Sequence, residues 1–91
     1  MTLLRCARVA PGLRETERTA VVTDAYGIPD YLRVEQGFLS VRGGVHFLPV
    51  SLIDRSNGLV LLEYPQESER GNNRAWVRAD ALLADSPGVS A

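Results

Sequence analysis

At 91 residues the chain has room for one domain with a thin core, and its 45% hydrophobic content is that of an ordinary globular protein. The formal net charge of -1 argues against a strong electrostatic pull toward nucleic acid. A single cysteine, Cys6, excludes an internal disulfide and a Cys-x-x-Cys redox pair, which points to a reducing, cytoplasmic setting.

In residues 1–10, Leu3 and Leu4 are followed by Arg5 and Arg8, so neither a signal-peptide core nor a membrane span is expected there. Residues 2–9 read as a possible strand that Pro11-Gly12 breaks. Ala20-Val21-Val22-Thr23 is β-branched and runs into the turn-rich Asp24-Ala25-Tyr26-Gly27, with Pro29-Asp30 close behind. Tyr31 to Glu35 alternates, placing Leu32 and Val34 on one face, and Gln36-Gly37 turns the chain. Phe38 to Arg42 and Val45 to Val50 form a hairpin around Gly43-Gly44, a pair suited to a two-residue turn with positive φ. Ser51 to Asp54 reads as a helical turn or loop, Asn57-Gly58 as a turn, and Leu59 to Tyr64 as a strand. Residues 65–73 read as an exposed polar loop. Ala75, Trp76, Ala79, Leu82 and Leu83 then fall at helical spacing, with Asn73 as a cap; a closing strand at Trp76-Val77 followed by one helical turn is the alternative. The expected fold is mainly β, a small antiparallel barrel of five to six short strands with a short C-terminal helix or helical turn. One domain spans residues 1–85, and 86–91 form a disordered tail.

The Gly43-Gly44 hairpin fixes a register in which Ser40 faces Phe47, Val41 faces His46 and Leu39 faces Leu48. Leu39, Val41 and Leu48 are therefore expected in the core, with Val21 or Val22, Leu32, Val34, Val60 and Leu62. His46 lies on that face near its turn end and reads as a rim histidine. The opposite face carries Phe38 and Phe47, and Leu59 and Leu61 repeat the pattern on the later strand. Apolar residues on both faces call for cover on both, from the terminal segments or from a second subunit. Phe38, Phe47, Leu59 and Leu61, joined by Trp76, are the candidate interaction face.

Chemical motifs are sparse. One histidine and one cysteine cannot build a zinc site of usual composition, and no Gly-x-Ser-x-Gly elbow, P-loop or dinucleotide-binding spacing occurs. Glu63, Glu67 and Glu69 run into a polar loop and read as solvated charge. No cofactor or metal is expected, and the chain reads as non-enzymatic. All ten basic residues are arginine, and Tyr31-Leu32-Arg33 and Arg74-Ala75-Trp76-Val77-Arg78 interleave them with aromatics, a weak pattern for RNA.

From Val21 to Glu67 the chain resembles the PRC-barrel-like domains of bacteria. Asp24 and Gly27 match the end of the first strand of that pattern, and Val34, Glu35, Gly37, Phe38 and Leu39 the second element. Phe47, Leu48, Pro49 and Ile53 match the third, and Val60 and Leu62 the last. The ending "WVRADALL" is similar to the closing strand and turn of bacterial Src-homology-like barrels. The first resemblance implies a non-catalytic module used in macromolecular contacts, including ribosome maturation and photosynthetic reaction centres, and it transfers no catalytic residue. The expected partner is therefore another protein or a second copy, with an RNA- or ribosome-associated role as the alternative and no membrane insertion.

Overall fold

Two left-handed turns set the register of the central strands. Gly43 and Gly44 adopt φ of 58° and 81°, and Asn57 and Gly58 adopt 50° and 78°, the paired positive values that match strand twist in a two-residue hairpin. The computed structural model describes residues 2–84. Its strands are β1 (Thr2–Arg5), β2 (Arg8–Pro11), β3 (Glu17–Thr23), β4 (Pro29–Glu35), β5 (Ser40–Arg42), β6 (Val45–Ser56), β7 (Leu59–Glu63), β8 (Arg74–Arg78) and β9 (Leu82–Ala84). Single 3-10 turns at Gln36–Phe38 and Ala79–Ala81 are its helical elements.

All pairings are antiparallel. One sheet runs β8-β7-β6-β1-β9, with β5 also on β6, and the other runs β2-β3-β4. The two meet where one chain path serves both. Cys6 N–H donates to the His46 carbonyl at 2.9 Å, and Ala7 N–H donates to Val21 at 2.7 Å. The ladder does not close into the expected barrel. Between β4 and β8, loop residues take the place of a strand: Glu69 N–H donates to Tyr31 O at 2.8 Å, the Gln66 side chain donates to Arg33 O, and Ala25 N–H donates to Trp76 O at 2.8 Å.

Alternation explains the core. Ala20, Val22, Leu32 and Val34 from the smaller sheet meet Leu4, Leu48, Val50, Val60, Leu62 and Val77 from the larger. Arg33 and Glu35, at the intervening positions of β4, are exposed. Val21 is buried too, on the opposite face of β3 between its partners Arg8 and Tyr31. Leu39 is half-buried against the core.

Three further expectations are corrected. Val41 pairs with His46 as expected but is 60% exposed, because β5 is three residues long and its hairpin runs beyond the core layer at Leu48. Residues 51–54 are strand: the register passes from Leu52↔Leu62 to Asp54↔Leu61, so Ile53 is the extra residue of a bulge that keeps β6 running for 12 residues. The helical stripe at 75–83 gives way to the alternative reading, a strand through Trp76-Val77 (β8) and one 3-10 turn, followed by β9, since pairing of β8 with β7 and of β9 with β1 satisfies more backbone than an isolated short helix would. The tail at 86–91 lies outside the described residues. Among the described residues no helix is long and apolar enough to cross a membrane.

Leu48 is fully buried and pairs with Leu4. Leu48→Ala is expected to cost about 2–5 kcal/mol, whereas Val41→Thr should stay within about 0.5 kcal/mol of wild type. Urea denaturation of both variants measures the difference, and equal midpoints would mean that the inward face is misassigned.

Candidate functional site

The structure scatters the expected interaction face over three places. Leu61 and Trp76 are brought directly opposite each other on β7 and β8, with Leu59 two residues along the same face, opposite Arg78. All three side chains are half-buried. Phe47 lies on β6, half-buried, between its partners Arg5 and Ser40. Phe38 sits on the 3-10 turn before β5 rather than in a strand, so it does not share a face of the β5–β6 hairpin with Phe47 as expected.

Phe38 instead stands at an open groove of about 560 Å³ with Pro49, Val50, Leu52 and Pro65. The groove follows from the pairing of β6. β5 pairs as far as Phe47 and β7 begins at Ser51, so one edge of residues 48–50 has no strand beside it among the described residues. Phe38 is 45% exposed and Leu52 38% exposed. Leu52 and Pro65 are missing from the residues read from the sequence. The adjacent pair Leu52-Ile53 was the available signal, since alternation breaks there.

A second feature is polar. Asp30 is 5% exposed, and its carboxylate accepts from Asn72 Nδ2 at 3.0 Å and from Tyr31 N–H at 2.8 Å. Asn72 N–H in turn donates to Ser68 Oγ at 3.1 Å. This network fastens the β7–β8 connection onto β4. Burial pushes the Asp30 carboxyl up, but hydrogen bonds from Ser68, Asn72 and the Tyr31 and Arg70 backbone prevail and hold it below its usual value. Nearby, burial and then the Asp30 and Asp24 carboxylates push the Tyr64 phenol up to about 12. Asp24 is itself a turn residue, its Oδ1 accepting from Tyr26 and Ile28 N–H at 2.8 and 2.9 Å.

The remaining chemical groups are dispersed. Half-buried His46 borders the opening between β2 and β6, beside Arg18, Arg14 and Glu15. Cys6 is buried, and that burial pushes its thiol up to about 11, the state of an unreactive structural cysteine. Glu63 and Glu69 lie 3.5 and 3.6 Å from Arg74 and Arg33, while Arg14 and Arg78 lie 3.3 and 3.0 Å from Glu35 and Asp80. Among the described residues no three His, Cys, Asp or Glu side chains gather as metal ligands. No family model, curated protein or solved structure matches the chain.

A depressed carboxylate pKa stabilises the folded state fully above the unfolded value near pH 4, and the contribution is lost as pH falls through the lower folded value. Asp30→Ala should therefore cost about 1–3 kcal/mol at pH 7. Asp30→Asn should lose less stability than wild type as pH falls from about 4 toward 2. Urea midpoints across that range measure both effects; parallel acid limbs for wild type and Asp30→Asn would show that Asp30 carries no such linkage.

Proposed function

We propose that this domain is a non-catalytic protein-contact module that pairs with a second copy of itself across the Phe38–Leu52 groove. The observation that carries the reading is the joint exposure of Phe38 and Leu52 on one apolar groove. Large apolar side chains gathered on a monomer surface mark contact sites more often than solitary ones do. A second copy is the favoured occupant because a chain of 91 residues has little core of its own and gains burial from an isologous interface. The likeness to PRC-barrel-like domains, modules of macromolecular contact, supports the same reading.

The arginines favour this reading over an RNA-associated one. Arg14, Arg33, Arg74 and Arg78 each lie against an acid, so the basic groups are interspersed with carboxylates rather than laid out as a stripe for phosphates.

Sedimentation velocity across micromolar concentrations tests the proposal. Wild type is expected to dimerise, and Phe38→Ser and Leu52→Ser each to weaken the dimer by about tenfold or more. A wild-type chain that stays monomeric, or variants that dimerise like it, would contradict the reading. His46→Gln is expected to leave stability and dimerisation within about 0.5 kcal/mol of wild type. A larger loss would give His46 a role that its position on the rim does not.

A further inference from the structure

We propose that the pocket between the β3–β4 turn and β8 binds an alkylammonium group, held against Tyr26 and Trp76 above Tyr64 and the carboxylates of Asp24 and Asp30. All five residues line one pocket of about 250 Å³. That volume is below the roughly 300–1,000 Å³ of drug-sized sites and suits a single small head group. The β3–β4 turn is seated on β8 by the Ala25 N–H to Trp76 O hydrogen bond at 2.8 Å, so the two aromatic walls belong to elements fixed to one another.

Tyr64 is the second, independent pointer. Its side chain is 6% exposed and lines the pocket, yet its hydroxyl has no hydrogen-bond partner among the described residues. Among the described residues no fully enclosed side-chain oxygen or nitrogen lacks a partner, so this hydroxyl is not sealed off, and it belongs to a residue that lines the pocket.

Asp24 and Asp30 bring two carboxylates to the pocket beside Tyr64. Asp30 and Asp24 both disfavour a phenolate at Tyr64, so their field reaches its hydroxyl. Two guanidiniums also line the pocket: Arg74 lies 3.5 Å from Glu63, which offsets its charge, and exposed Arg70 donates to Pro29 O at 3.2 Å. An ammonium group beside two aromatic side chains and two carboxylates is a favourable arrangement. The group's source is a free amine or a lysine side chain of another protein. The site does not depend on the self-association groove.

Trp76 is the sole tryptophan, so its fluorescence reports occupancy. Full-length protein is titrated with tetramethylammonium chloride, n-butylammonium chloride and a capped lysine peptide, each against sodium chloride at matched ionic strength. Saturable changes are expected with the ammonium probes; tighter binding of the peptide than of n-butylammonium assigns the site to a protein side chain, and the reverse assigns it to a free amine. Tyr26→Ala, at a residue 73% exposed and so dispensable to folding, should weaken binding by roughly threefold or more. Tyr64→Phe should weaken n-butylammonium, which donates N–H to the hydroxyl, and leave tetramethylammonium unchanged. Responses no different from sodium chloride, saturation by sodium acetate instead, or unaltered affinity in Tyr26→Ala would overturn the proposal.

Discussion

Cys6 donates its backbone N–H to His46 and Ala7 donates the next one to Val21, so a single extended path is a member of both sheets. Because consecutive N–H groups of a strand point to opposite edges, this change of partner holds β6 on one side of the chain and β3 on the other. The inward faces of the two sheets are thereby set against each other. Leu4 from the first half of the path, Cys6 at its middle and Ala20 and Val22 from the strand it then joins all enter one cluster with Leu48, Val60 and Leu62. Buried residues of both sheets fall in one cluster among the described residues, so the exchange at Cys6–Ala7 sets how the two halves of that core meet.

The opposite seam is held differently. Where β4 and β8 lack a common ladder, the β7–β8 connection crosses the gap, and its attachment depends on a buried acid. An aspartate excluded from water is tolerated only when its oxygens are hydrogen-bonded. Ser68, Asn72 and the backbone of Tyr31 and Arg70 meet that need for Asp30. The carboxylate thus makes an irregular loop serve as a fixed wall. The same fixed geometry forms the pocket beside Tyr64 and Trp76, which links the packing of the seam to the proposed amine site.

Some of this was legible in the sequence for local reasons. Gly43-Gly44 and Asn57-Gly58 announce positive-φ hairpins, and those turns impose the observed Val41↔His46 and Ser56↔Leu59 registers. Leu32 and Val34, like Val60 and Leu62, alternate cleanly and are buried. The rest depended on contacts distant along the chain. Asp30 reads as a turn residue beside Pro29, and only partners near residues 68 and 72 reveal it as an inward strand position. The bulge at Ile53 shifts the alternation by one, which disguises strand as loop. Trp76 fits helical and strand spacing alike over so short a stretch, and pairing of Trp76 and Val77 with Leu61 and Val60 decides between them. For the candidate surface, Phe38, Leu59, Leu61 and Trp76 are visible as apolar residues, but their partition between a groove and a sheet face depends on where β5 and β7 end.

Native-state hydrogen exchange at Cys6 and Ala7 tests the shared path most directly. If these two amides hold the sheets together, they should exchange only through global unfolding, as slowly as the amides of core strand residues such as Leu48 and Val60. Exchange of the Ala7 amide at the rate of an exposed loop, while Leu48 and Val60 remain protected, would show that the smaller sheet separates from the larger without unfolding it and would contradict this account.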